Sequence, residues 1–173
     1  MSGFLGRWNT WDVNPGGIRF RHLTAGQLRQ LHEAGWEIGC HSHTHRDLRR
    51  LNERGLIREI DRSRKELAEV FSGEVLTFAY PFGLHNGRVR EAVREAGFGF
   101  GVRGIRGGLG VYDRWQIPRI PVYAFESLKA IRKKLSGQQL PRREYYKLWV
   151  CSAPAGLTPW FQRFFKSQLL LDM

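Results

Sequence analysis

The chain has 173 residues, 42% of them hydrophobic, and its 28 Lys and Arg against 16 Asp and Glu give a formal charge of +12. That length fits one domain with a core of its own, and the absence of any run of about 20 apolar residues excludes a transmembrane helix. Met1 to Arg7 lacks the basic-then-apolar pattern of a signal peptide, so the default location is cytoplasmic, and Cys40 and Cys151 alone cannot form a zinc-type cysteine pair or a disulfide framework.

In chain order, Gly3 to Arg21 is rich in Gly and Trp, has no period and reads as loop. Thr24 and Gln27 form a capping-box pattern. Leu28, Leu31 and Ala34 give the following helix an apolar stripe, and Gly35 stops it. Trp36 to Cys40 reads as a buried strand leading into His41-Ser42-His43-Thr44-His45. Arg46 to Arg50 connects to Asn52, an N-cap for a long helix with Leu56, Ile60, Leu67 and Phe71 at helical spacing. Its charged face, including Glu59, Asp61, Arg62 and Glu66, reads as ordinary solvated surface.

Ser72-Gly73 ends that helix, and Val75 to Tyr80 reads as a strand buried on both faces. Tyr80-Pro81-Phe82-Gly83 is a tight turn, and Asn86 caps a helix closed by Gly97. Phe98 to Val102 is a third strand, followed by a glycine-rich loop, Gly104 to Gly110. Trp115 to Val122 reads as a fourth strand, and Pro118 and Pro121 suggest an edge position or bulges. Ser127 to Leu135 is the last helix of the regular part. Short connections between alternating helices and strands predict an α/β fold, a parallel sheet or (β/α) barrel.

Residues 1–140 make up this regular domain. From Pro141 to Met173 the pattern changes to a basic, aromatic tail with Arg142, Arg143, Tyr145, Tyr146, Trp149, Trp160 and Phe161. The simplest expectation is that it packs on the domain, with a short helix starting near Pro159. A sharper one is contact with an acidic polymer or a membrane surface. The remaining arginines are scattered and form no single stripe, so nucleic acid is not the favoured partner.

Three of six histidines fall within five residues, at a strand end where α/β folds carry their sites. On an extended backbone His41, His43 and His45 share a face; on a helical one His41 and His45 stack. Either way at least two imidazoles converge, and neutral imidazole suits zinc and similar metals.

The order of strand, His41-Ser42-His43-Thr44-His45, long helix, strand and Tyr80-Pro81-Phe82-Gly83 resembles the polysaccharide deacetylases, carbohydrate esterase family four. The resemblance implies a deacetylase fold of the (β/α) barrel type. It implies metal ligands at His41 and His45, with Ser42 in the Ser/Thr place of the motif and His43 as a hydrogen-bonding neighbour. It also implies a substrate and oxyanion turn at Tyr80, Pro81, Phe82 and Gly83, a divalent metal (zinc, or cobalt or nickel) and an N-acetylated carbohydrate substrate. Phe82 stands where Tyr is usual, and the usual Arg of this motif is missing.

The resemblance also sets up departures. The family's early Asp-Asp strand, which supplies catalytic base and third ligand, has no counterpart: the aspartates are Asp12, Asp47, Asp61, Asp113 and Asp172. No His follows His85, so the late general acid is missing too. The expectation is therefore a domain without its first strand or strands, its metal weakly held and its activity reduced or absent. The competing readings are a non-catalytic saccharide- or partner-binding remnant, an amidohydrolase-type barrel using His41 and His43, and a basic nucleic-acid binder.

Overall fold

The computed structural model describes residues 1–10, 19–105, 108, 113–123, 125–136, 141–151 and 158–159. The expected helix from Pro159 onward, part of the loop 104–110, and Asp12 fall outside this set.

Helix α1, Ala25–Glu33, starts where local chemistry dictates. The Thr24 hydroxyl accepts the Gln27 N–H, and the Gln27 side chain accepts the Thr24 N–H. Two donors that the first helical turn leaves unpaired are thus satisfied reciprocally. Gly35, at φ +85°, takes the left-handed conformation that ends the helix. The long helix is built in three parts: α2, Glu53–Ile57, a π-helical turn, Arg58–Arg62, and α3, Ser63–Phe71. Asn52 caps its start by accepting the Gly55 N–H, and Ser72 closes it at φ +52°. Helix α4, Gly87–Glu95, is capped by Asn86, and α5, Leu128–Leu135, by Ser127. Helix α6, Arg142–Cys151, gives order to the first part of the basic tail.

The sheet is parallel, in the order β1 (Thr77–Ala79), β2 (Phe100–Arg103), β3 (Ile117–Pro118). Phe78 lies opposite Gly101, and Val102 opposite Ile117. On the free side of β1, Cys40 adds one more parallel rung, donating its N–H to Thr77 and accepting the Ala79 N–H. The α/β fold with a parallel sheet is thus as expected; of the strand expected over Trp115 to Val122 only Ile117–Pro118 pairs, at the outer side of the sheet among the described residues.

The strand expected over Trp36 to Cys40 contracts to this single rung. Trp36 is 64% exposed and Glu37 meets β1 only through its side chain, which accepts the Thr77 hydroxyl, so the segment before Cys40 approaches the sheet without joining it. A second correction concerns Glu59, expected on a solvated face and found 4% exposed. It sits in the π-helical turn, where the regular 3.6-residue period slips.

The core lies between the sheet and the helices. Phe78, Tyr80, Leu56, Ile60, Val89 and Val93 are at most 1% exposed. Phe78 packs edge-on against Phe98, with ring centroids 5.1 Å apart. Helix α1 covers α3, where His32 packs on Phe71 at 4.8 Å. This packing brings the C-terminal end of β1 and the residue after Cys40 to the same edge of the sheet.

Candidate active site

The backbone after Cys40 is neither strand nor helix. Ser42 (φ +62°) and His45 (φ +59°) are both left-handed, as is Phe82 (φ +58°) in the facing turn. Among the described residues only one other non-glycine residue, Ser72, has a positive φ. Left-handed backbone costs a non-glycine residue about 1–2 kcal/mol, so its concentration here requires a loop held in place by its surroundings. The Ser42 hydroxyl, fully buried, accepts the His45 N–H at 2.9 Å and fixes the reversal.

The result separates the three histidines. The Nε2 atoms of His41 and His45 converge at 3.1 Å, their rings edge-to-face. His41 Nδ1 lies 2.6 Å from the Ala79 carbonyl, which can only accept, so Nδ1 carries the proton and Nε2 keeps its lone pair. His43 turns the other way. Its Nδ1 lies 2.8 Å from the Ser2 hydroxyl and 3.0 Å from the Glu66 carboxylate.

Both converging imidazoles are held neutral. Burial pushes His41 down to about 4 and His45 to about 2. The Arg119 guanidinium lowers both further, and His41 lowers His45. Arg119 lies just past β3, donating its N–H to the Arg103 carbonyl, and so belongs to the same C-terminal edge. Sequence reasoning had missed it; its place directly after a strand-ending proline was the available signal.

The turn Pro81–Gly83 closes the site from the β1 side. The Phe82 ring stands edge-on to His45 at 4.5 Å. The backbone bonds of the turn run from Gly83 to Tyr80 and from Leu84 to Pro81, leaving the Phe82 N–H uncommitted among the described residues. Tyr80 points away from the histidines: its hydroxyl donates to the Trp115 carbonyl at 2.9 Å, and burial raises its pKa. Pro81 is buried. Tyr80 and Pro81 therefore anchor the turn, while Phe82 and Gly83 form its half-buried rim.

Glu59 organises the histidine loop from behind. Its carboxylate accepts the His43 N–H at 3.0 Å, the Thr44 N–H at 2.8 Å and the Thr44 hydroxyl. Its main-chain carbonyl also receives the His43 N–H (3.1 Å) and the Ser63 hydroxyl (2.7 Å). That carbonyl lies in the π-helical turn, and such turns recur at functional sites. Glu59→Ala would take the carboxylate acceptor from the Thr44 N–H and hydroxyl and leave the His43 N–H only its main-chain bond, a lost buried partner costing about 1–3 kcal/mol. Thermal denaturation is expected to show a clearly lowered midpoint for Glu59→Ala and a smaller loss for Glu59→Gln, which keeps an acceptor oxygen. Equal midpoints for wild type and Glu59→Ala would contradict this role.

His85 forms a separate constellation. Arg90 donates to its Nδ1 at 3.2 Å, Tyr80 packs against its ring at 4.7 Å, and burial followed by the Arg90 charge lowers it to about 4. Asp113 is committed to the Trp115 N–H and the Gln116 amide, and its charge acts on His85.

The depressed histidines set a pH dependence. His41, His45 and His85 bind protons in the unfolded chain near pH 6.5 and in the folded chain only at about 4, 2 and 4. Between those values the unfolded state holds more protons, so stability falls as pH drops from about 6.5 toward 4. Urea unfolding of metal-free protein should show a midpoint that declines steadily from pH 7 to pH 5. A midpoint flat across that range would count against the buried, neutral histidines.

As a metal site, the described residues offer two imidazole donors and no group of three His, Cys, Asp or Glu. The donor chemistry fits a transition metal, since both rings are neutral, their Nε2 atoms converge and the Ala79 carbonyl fixes the His41 tautomer. It is two ligands short of a closed tetrahedral site.

Comparison with known proteins identifies the family. The sequence profile of polysaccharide deacetylases matches residues 7–101, more than half of the chain. The chain belongs to the polysaccharide deacetylase family. A poly-beta-1,6-N-acetyl-D-glucosamine N-deacetylase of Staphylococcus aureus (strain MRSA252) is 29% identical over 88 residues, covering 46% of this chain. The match takes in 30% of that relative's length. Among solved structures, a putative polysaccharide deacetylase from Bacillus anthracis aligns with a TM-score of 0.58 at 17% identity, over 65% of this chain and 36% of its own. A Streptococcus pyogenes deacetylase solved in complex with acetate aligns at 0.57 and 19%, over 68% and 52%. At such identities these structures establish the deacetylase fold.

Proposed function

We propose that this chain carries the metal-binding and oxyanion side of a carbohydrate N-deacetylase site, acting on N-acetyl groups of a sugar polymer. The observation that carries the reading is the convergence of His41 and His45 Nε2 at 3.1 Å beside the Phe82 turn.

His41 and His45 would hold the metal, zinc or a neighbour such as cobalt or nickel, through their lone-pair nitrogens. A divalent cation bound there supplies Lewis acidity toward an acetyl carbonyl. The Ala79 carbonyl keeps His41 in the required tautomer, and Ser42 and Glu59 hold the loop so that ligand geometry costs nothing to reach. The Phe82 N–H offers a donor for the oxygen that gains charge as the amide is attacked. The Phe82 ring screens His45 from water, and Arg119 adds positive charge at the same edge.

General base and general acid are not among these residues. The chain has no Asp-Asp pair and no His after His85. Binding of the acetyl group is thus supported further than its hydrolysis, and the non-catalytic saccharide-binding reading differs only in this last step.

The experiment is paramagnetic line broadening in NMR. Cobalt-loaded protein should broaden the acetyl methyl resonance of an N-acetylglucosamine oligomer more than its ring resonances, and His41→Ala should abolish the effect. Uniform broadening, or none, would contradict the placement of the acetyl group.

A further inference from the structure

The two helices after the sheet carry apolar residues on faces that point away from the protein. On α5, Leu128 and Leu135 are 74% and 79% exposed and lie seven residues apart, hence on one face, with Arg132 between them. On α6, Tyr146, Trp149 and Val150 share a face and are 65%, 42% and 61% exposed. Phe125, exposed in the segment before α5, stacks on Tyr123 and lies under Lys147 of α6, 5.8 Å from its ammonium. That contact joins the two outward faces into one surface.

Each helix has a separate inward side. Leu148 of α6 is fully buried. Lys134 of α5 turns inward to Glu126 (2.5 Å) and the Pro121 carbonyl (2.7 Å). Among the described residues the side chains of Leu128, Leu135, Tyr146 and Val150 are thus left mostly in solvent, and exposed groups of this size grouped together mark an interaction site.

Charge selects the partner. Residues 122–151 hold seven Lys and Arg against two Glu, and Lys134 and Glu126 neutralise each other in their buried pair. Arg142, Arg143 and Lys147 flank the aromatic residues of α6, and Lys129 and Arg132 lie beside the leucines of α5. We propose that the α5–α6 face docks on an anionic lipid surface. Tyr and Trp suit the boundary between headgroup and acyl chain. Leucine, valine and phenylalanine enter just below it, while Lys and Arg stems reach back to the phosphates. A nucleic acid would engage the cations and leave Leu128, Leu135 and Val150 in water; a lipid surface uses both sets. No helix among the described residues is long and apolar enough to cross a membrane, so the contact is peripheral.

Co-sedimentation of the full chain with vesicles tests this. Binding is expected to phosphatidylcholine vesicles containing phosphatidylglycerol and not to phosphatidylcholine alone. Release is expected near 1 M salt, where the screening length is about 3 Å. Leu128→Ser with Leu135→Ser, and Tyr146→Ser with Val150→Ser, should each weaken binding at least about tenfold with unchanged circular dichroism. Wild-type tryptophan fluorescence should be quenched by vesicles of brominated lipid, a readout that needs no variant. Equal binding to both vesicle types, serine variants that bind like wild type, or absent quenching would overturn the proposal. So would binding to duplex DNA by wild type and serine variants alike without vesicle sedimentation, which would identify a polyanion site.

Discussion

Acetate release from N-acetylglucosamine oligomers by this chain alone, with zinc or cobalt added, is expected to stay near the level of His41→Ala. The proposed site would supply two metal donors and an oxyanion donor, but the described residues place no carboxylate beside His41 and His45. Asp113 is tied to Trp115 and Gln116 and acts on His85 instead. A positioned general acid or base typically contributes 10²–10⁴-fold. With both missing, and a ligand as well, little rate enhancement remains, although such losses do not add. The measurement is enzymatic detection of acetate over hours at saturating metal. Robust turnover that disappears in His41→Ala would mean that a base outside the described residues completes the site.

Gly83→Ala is expected to be among the most damaging single substitutions in the chain. Gly83 has φ +70°, and an added methyl group would lie 2.7 Å from the Gly104 Cα and still closer to the Gly104 N. Both obstacles are backbone, so no side chain can swing aside. The left-handed conformation costs about 1–2 kcal/mol and overpacking typically another 1–3. For a chain of this length such a loss corresponds to a fall of about 10 °C in melting temperature. The control is Gly87→Ala, where nothing lies within 4 Å and the residue begins a helix; it should melt at or above wild type. Equal melting of Gly83→Ala and wild type would show that the turn is free to relax. It would also remove the basis for a fixed Phe82 N–H.

What the sequence made legible was local chemistry. The Thr24–Gln27 box, the Asn52, Asn86 and Ser127 caps and the Gly35 and Gly97 stops depend on neighbours a few residues away, and all occur where their patterns put them. What it concealed was decided by tertiary contacts. Glu59 carries the same charge as its solvated neighbours; only a π-helical turn and a loop sixteen residues upstream make it a buried organiser. The Trp36–Cys40 segment has the composition of a strand, yet its partner offers a single rung at Phe78. The histidine cluster was visible as a cluster. Which two rings meet depended on left-handed residues at Ser42 and His45, which neither a strand period nor a helix period anticipates.

The central claim, that His41 and His45 rather than His43 form the metal pair, is tested most directly by calorimetric titration of zinc into wild type and the three single alanine variants. His41→Ala and His45→Ala are expected to lose affinity by more than about 100-fold, beyond the effect of a lost outer-shell partner, while His43→Ala keeps most of it. Loss confined to His43→Ala, or wild-type affinity in all three variants, would contradict the claim.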